Sequence, residues 1–461
     1  MPLILGTNSI KATGFDVANS CRFNVGSNDF LSRTIGTPTD EDKWTFSVWL
    51  KITGEAPSVQ YGILSAGNYP SAYETIHLNG GDQLFYHYND GGGANHGAAK
   101  YSGIIRDPFA WYNLIVSRNG TAVKVYINGN DVTTTVTSYN NSTNVINKSG
   151  GTLRIGHSER ETSGRSWNGY MSEVVFCDGQ LLDQTSFGEF DEDSGIWKPV
   201  DVSGLTFGNN GFYLDFEDSS ALGNDVSGNN NDFTASNLTA IDQTTDTCTN
   251  NFMTLNPLST DSGVTLSEGN TESDYDASVG NAKGNFGLTK GRWYWEVKLT
   301  NSTSGYPMIG IGSMNESQMQ KTTGGSYPGG FTNSYGVYGV NLRLYANGVN
   351  EGTQGSSYTS GDIFGIYLDL ESGTKTIKWY KNGSSVLSYN ITNAGDDYPY
   401  TCIDYNGGES SVNVNYNFGN PAYSISSGNT DDNGYGNFEY SPNISSTKYY
   451  AVCTKNLAEF G

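Results

Sequence analysis

The chain has 461 residues, with 25 basic against 47 acidic side chains and a formal net charge of −22. Only 16% of the residues are charged, whereas glycine (59), tyrosine (31) and aromatic residues as a class (13%) are abundant. This balance excludes a nucleic-acid partner held through its phosphates, because there is no basic excess to release counterions; the aromatic content excludes a disordered chain, and the low Lys, Glu and Ala content excludes long helices and coiled coils.

The opening segment, Met1 to Ile10, lacks a charged stretch followed by an apolar one, so no secretory signal is expected. No apolar run reaches the ~18 residues of a membrane helix, so no membrane insertion is expected. Period-two alternation then dominates the chain, which predicts half-buried antiparallel strands. Phe85-Tyr86-His87-Tyr88 reads as one such strand, with His87 expected at the surface. Val123, Val125 and Ile127 alternate with Lys124, Tyr126 and Asn128. A helical turn is expected over Asp183 to Phe187, followed by an acidic loop, Glu189 to Asp193. Trp293, Trp295, Val297 and Leu299 alternate with Tyr294, Glu296 and Lys298; Val412 to Phe418 repeat the pattern. Asn-Gly pairs at 79–80, 128–129, 347–348 and 382–383 mark hairpin turns. Residues 449–453 read as a last strand.

Short strands with Gly/Asn turns predict an all-β chain of two antiparallel sandwiches in tandem. Residues 1–200 form the first and 275–420 the second. Residues 201–274 are expected as a polar connector, part of which can return to the first sandwich. Residues 421–461 are expected as a tail that can pack on the second. The five cysteines, Cys21, Cys177, Cys248, Cys402 and Cys453, are far apart and form no Cys-x-x-Cys pair. They predict buried free thiols in a reducing compartment rather than a disulfide framework or zinc site. The four histidines form no pair at metal-ligand spacing, and no nucleophile elbow or phosphate-binding loop occurs.

Three ordered motifs in the first half, WTFSVWLK (44–51), WYNLIVSRNGTAVKVYING (111–129) and LRIG with WNGYMSEVVF (153–156, 167–176), resemble the LamG and pentraxin-like group of concanavalin A-like jelly rolls. In the second half, GRWYWEV (291–297), MIGIG (308–312), GDIFGIYLDLESGTKTIKWYKNG (361–383) and YNFG (416–419) resemble a SPRY domain. This tandem, with the polar segment 211–233 and the ending 449–461, resembles an architecture recurrent in virion proteins of tailed bacteriophages.

The resemblance implies candidate sites. The loop Asp225 to Asp232 is similar to a LamG loop that can contribute to a calcium site, with Asp225, Ser227, Asn229 and Asp232 as ligands; oxygen-rich turns of this kind suit calcium. SPRY ligands usually meet the loops at one end of the sandwich, which points to Tyr327, Phe331 and Tyr335 within the segment 324–338, and to the segment 341–358. The corresponding loop of the first half offers Asp90, Asn95 and His96. Aromatic platforms with amides and carboxylates suit sugars.

The functional expectation is a virion structural protein of appendage type, a tail-fibre or receptor-binding component made in the host cytoplasm. It would recognise host-surface glycan without catalysis, assemble with copies of itself and other virion proteins, and gain avidity from copy number. The alternatives are a capsid or tail decoration protein without ligand binding, and a glycan-degrading enzyme using Glu189 and Asp193. The latter pair lacks the Glu-x-Asp-x-x-Glu or Glu-x-Asp-x-Glu spacing that brings two carboxylates to one face of a strand.

Overall fold

The computed structural model describes residues 14–54, 60–67, 71–90, 96–101, 105–133, 144–159, 165–276, 279–300, 307–320, 326–408 and 411–461. They fall into two compact units, Ala12–Thr249 and Asn250–Gly461. Both are built almost wholly from antiparallel β-sheets, and no helix among the described residues is long and apolar enough to cross a membrane.

The first unit is a sandwich of two sheets. One runs in the order 130–131, Ala122–Ile127, Tyr112–Asn119, Lys43–Ile52, Gly169–Asp178, Ser20–Phe23 and Gln243–Thr244. The other runs Thr234–Ser236, Phe30–Thr34, Thr152–Ile155, Tyr61–Gly67, Ala72–Leu78, Leu84–Asp90 and His96–Lys100. The alternation in the central strand explains the arrangement: Trp44, Phe46, Val48, Leu50 and Ile52 face the core between the sheets. The opposite face is also covered. Val175, Cys177 and Tyr126 pack under Phe187, Val202, Phe207 and Tyr213.

The stretch 201–274 is divided between the units, and part of it returns to the first sandwich. Phe212–Leu214 pairs with Gly169–Asp178, Thr234–Ser236 with Phe30–Thr34, and Gln243–Thr244 with Ser20–Phe23. Residues Thr265–Ser267 and Glu272–Asp274 belong to the second unit. The apolar residues of this stretch are spaced far apart but reach the cores: Phe212, Leu214, Phe216, Leu222 and Phe233 pack in the first unit, Met253 and Leu255 in the second. The expected helical turn is a single 3-10 turn, Gln184–Ser186, capped by the Asp183 carboxylate.

In the second unit one sheet runs Thr265–Ser267, Glu272–Asp274, Asn413–Asn417, Arg292–Thr300, Ile363–Asp369, Thr376–Lys381 and Ser384–Asn390. The other runs Val279–Lys283, Tyr400–Gly407, Met308–Ser313, Ser334–Tyr338, Arg343–Ala346 and Val349–Thr353. Trp293, Trp295, Val297 and Leu299 line the core. The alternate residues Tyr294 and Glu296 do not meet water. The segment 421–453 covers them through Phe438, Tyr449 and Ala451. Tyr450–Ala451 adds a short parallel strand beside Trp293 and Tyr294, and a helix the sequence did not reveal, Thr454–Phe460, follows.

Three of the four Asn-Gly pairs behave as expected. At 128–129, 347–348 and 382–383 both residues have positive φ, as a two-residue type I′ hairpin requires. At 79–80 the loop is longer, and Gly81 and Asp82 take the positive φ instead. All five cysteines are free thiols. Burial pushes Cys177 and Cys453 up to about 12, which keeps them unreactive.

Pairing between Gly169–Asp178 and Lys43–Ile52 shifts register between Ser172 and Val175. At this bulge Glu173 takes φ +49°, and its buried carboxyl accepts a 2.7 Å hydrogen bond from the Tyr213 hydroxyl. Burial pushes Glu173 up to about 8, against the Tyr213 hydrogen bond and assisted by Asp215, Glu217 and Asp201. A carboxyl raised in the folded state binds its proton more tightly there. Its stabilising contribution is therefore complete below its ordinary value of 4.5 and lost as pH rises through about 8. The first unit should lose up to about 1.4 kcal/mol of stability per pH unit across that window. Glu173→Gln should flatten the loss; parallel melting curves of parent and variant from pH 5 to 8 would contradict this.

Candidate ligand-binding site

Strand register brings a set of tyrosines to the outer face of the second unit's six-stranded sheet. Tyr405 lies opposite Met308, and Met308 opposite Tyr338, so the three share one face. The next row outward holds Gly310, Gly336 and Tyr345. A Cβ on Gly336 would lie 2.6 Å from the Pro328 ring. The glycine therefore admits the 326–330 loop onto the sheet, and the loop carries Tyr327. Asn281 anchors it by donating from Nδ2 to the Ser326 carbonyl at 3.1 Å.

The result is a groove of about 300 Å³ lined by Met308, Tyr327, Tyr338, Tyr345, Tyr405, Asn406 and Gly407. It lies at the small end of ligand pockets, ~300–1,000 Å³. The Tyr327 ring, 36% exposed, stands 5.7 Å from Tyr345 and 5.8 Å from Tyr405, edge-on to the first and tilted to the second. Burial, then Tyr327 and Asp261, push the Tyr405 phenol above its ordinary value, so it stays a neutral hydroxyl able to donate and accept. The groove thus offers flat apolar faces with hydroxyls at their rims. That matches a sugar ring, whose C–H face is apolar and whose edge is polar.

Of the individual residues expected to contact ligand, Tyr327 lines this groove, and the two expected segments, 324–338 and 341–358, also contribute Tyr338 and Tyr345. Tyr335 faces inward: it is fully buried in the core, and its hydroxyl accepts from the Thr392 amide at 3.1 Å. Phe331 is buried against Met319 and Ile403. Both are corrections with one cause, since these aromatics anchor the loop and strand that shape the groove. Tyr358, in the other expected segment, is also buried, against Phe364. In the first unit Asp90 ends one strand and His96 begins the next, with Asn89 opposite His96; Asn95 lies outside the described residues. His87 is not at the surface. It is buried and stacked on Tyr73 at 5.7 Å.

The Asp225 to Asp232 loop folds on itself. Asp225 accepts from the Tyr213 and Ser227 amides on one oxygen, and from the Ser227 hydroxyl and Asn231 amide on the other. Asp232 accepts from the Asp225 amide, and Asn229 donates to the Gly208 and Gly211 carbonyls. With both Asp225 oxygens saturated by donors, these residues do not fit a calcium ion, whose ligands must present free lone pairs. Among the described residues no three His, Cys, Asp or Glu side chains converge as a metal site. The loop instead holds a cation of the chain itself, because Asn231 accepts from Arg33 at 2.5 Å.

The segment expected as an acidic loop, 189–193, is part strand and part bend: Glu189 and Phe190 lie in Gly188–Phe190, which pairs with Trp197–Pro199, and Asp191 opens the bend. Asp191 accepts from the Ser194 amide and hydroxyl at 2.9 and 2.8 Å, which holds its carboxyl below the usual range. Lys198 lies 3.2 Å from Glu189 and 3.4 Å from Asp191. These carboxylates are spent on a turn and an exposed ion pair.

Residues 26–185 match the family model described as the concanavalin A-like lectin/glucanases superfamily, and residues 292–419 match the SPRY domain model. The chain is similar to the solved PSpry domain of TRIM65, with 16% identity, 36% of this chain and 88% of that chain covered, and a TM-score of 0.30. It is similar to a human SPRY domain at 20% identity, covering 36% of this chain and 98% of that one, with a TM-score of 0.28. A heptameric SAP-like pentraxin from Limulus polyphemus shares 16% identity over 37% of this chain and 80% of its own, with a TM-score of 0.28. No curated protein matches the chain.

Proposed function

We propose that this protein, a LamG-like jelly roll followed by a SPRY domain, is a non-catalytic virion component of a tailed bacteriophage, a tail-fibre or receptor-binding part that recognises host-surface glycan. The observation that carries the reading is the tyrosine-lined groove around Tyr327, Tyr345 and Tyr405. Supporting it are the tandem of two sandwiches and the engagement of Glu189 by Lys198 and of Asp191 in a turn. The virion setting rests on the resemblance of the whole arrangement to phage appendage proteins. In that setting the partners are copies of this chain and other virion proteins. A small groove binds weakly, and many copies on one particle convert weak binding into adhesion.

The test is binding of the purified full chain, clustered on beads, to a panel of bacterial surface polysaccharides. Tyr405→Ala is expected to weaken binding to the polysaccharide recognised by about tenfold, equivalent to ~1.4 kcal/mol. If the clustered parent binds none of the panel, recognition fails and a decoration role without ligand takes its place. If it binds and Tyr405→Ala binds equally well, the groove is not the site.

A further inference from the structure

The second unit has another opening, on the outer face of its other sheet. Arg292, Asp369 and Thr376 form one row across three strands, with Lys378 two residues further along the same face as Thr376. The segment Ser446 to Lys448, with Tyr450, forms the opposite wall of a cleft of about 510 Å³. That wall lies beyond residues 292–419, which match the SPRY model, so the cleft is made by this chain's own C-terminal segment.

The charges in the cleft are unequally satisfied. Arg292 pairs with Asp369 at 3.3 Å and Glu371 at 3.2 Å, and Lys448 pairs with Asp432. Among the described residues no carboxylate lies within ion-pair distance of Lys378. Its ammonium donates to the Tyr449 hydroxyl at 3.2 Å and stands 5.8 Å from that ring's centroid. Of the three basic residues lining the cleft, Arg292, Lys378 and Lys448, Lys378 is thus the one without an ion pair among the described residues. The remaining walls supply hydroxyls, from Ser372, Thr374, Thr376, Ser446 and Thr447. Serine and threonine hydroxyls both donate and accept, as sugar hydroxyls do.

We propose that this cleft binds an acidic sugar, an anionic substituent on a hydroxylated ring, with Lys378 meeting the charge and the Thr376 and Thr447 hydroxyls meeting the ring. The inference rests on the glycan-recognition reading and adds a second, charge-selective subsite to it. A surface charge pair of this kind weakens as salt screens it.

Calorimetric titration of the full chain with three probes tests this: oligogalacturonate for a carboxylate, dextran sulfate for a sulfate ester, and neutral dextran. At least one acidic probe is expected to bind tenfold or more tighter than dextran. Lys378→Gln should remove that preference, while Lys124→Gln, an exposed lysine of the other unit, should keep it. Unchanged melting of Lys378→Gln establishes that the loss is one of binding. An acidic preference that survives Lys378→Gln overturns the inference, as does equal affinity for acidic and neutral probes while the polysaccharide panel still binds. Failure of all three probes and of the panel overturns the glycan reading along with it.

Discussion

Glu74→Ala should lower the stability of the first unit by about 3–5 kcal/mol, the largest single effect expected in this chain. Glu74 is fully buried, and one of its oxygens lies 2.5 Å from Nη1 of Arg118, which is equally buried. The same oxygen accepts from the Tyr86 hydroxyl at 3.0 Å; the other accepts from the Val145 and Ile146 amides at 2.9 and 2.8 Å. The carboxylate thus ties three distant parts of the chain together. Truncating it strands a guanidinium charge and two amides away from water, which costs far more than the net worth of the pair. For a unit of this size the melting temperature should fall by roughly 10 °C. The double variant Glu74→Leu/Arg118→Met removes both charges and should recover the part of the loss due to the stranded guanidinium, leaving the part due to the Val145 and Ile146 amides. A single variant that melts within 2–3 °C of the parent (about 1 kcal/mol at this size) would show that the pair is not uncompensated when cut.

The second large effect is expected at Glu296. Its carboxylate accepts from the Tyr294 hydroxyl at 2.9 Å, from Asn417 Nδ2 at 3.0 Å, and from the Tyr440 and Glu439 amides at 2.7 and 3.0 Å. Burial raises its proton affinity, and those four hydrogen bonds oppose the rise. The two amides belong to the segment that covers Tyr294 and Tyr367 with Phe438 and Tyr449. Glu296→Ala should therefore loosen residues 421–453 as well as destabilise the unit, by about 3 kcal/mol. Limited proteolysis should cut the variant within that segment under conditions that leave the parent whole. Glu296→Gln keeps one acceptor and should fall between the two. Equal protease resistance of Ala variant and parent would mean the segment is held by apolar packing alone.

Much of the architecture was legible because a strand's period is fixed. Alternation placed Trp293, Trp295 and Val297 in the core, and Asn-Gly pairs marked three hairpins. What alternation does not report is whether the second face of a sheet is covered. Tyr294 and Glu296 looked solvent-facing, and the cover comes from residues some 140 positions later, which have no period of their own. Among the expected ligand-site residues, the phase of Tyr335 marks it as a core residue. It shares a face with Val337, which is core, so its neighbour Tyr338 points outward. The same rule applied to Leu344 and Ala346 would have singled out Tyr345. Tyr405 needed the pairing of two strands almost 100 residues apart, which no local pattern encodes. The 225–232 loop had the right oxygens for calcium, but sequence does not show that backbone amides had already claimed them.

The C-terminal cover also sets an order of events during synthesis. The last pairing of the first unit uses Gln243–Thr244, so that unit can close while the second is still being made. The second unit cannot. Its central strand Arg292–Thr300 waits for Asn413–Asn417 on one flank and for Tyr450–Ala451 beside Trp293 and Tyr294, and Asn251 at its start waits for Thr454. Until the ribosome has delivered those residues, Tyr294, Tyr367 and Glu296 stand uncovered on a nascent sheet. This half of the chain therefore exposes apolar surface longest during its synthesis.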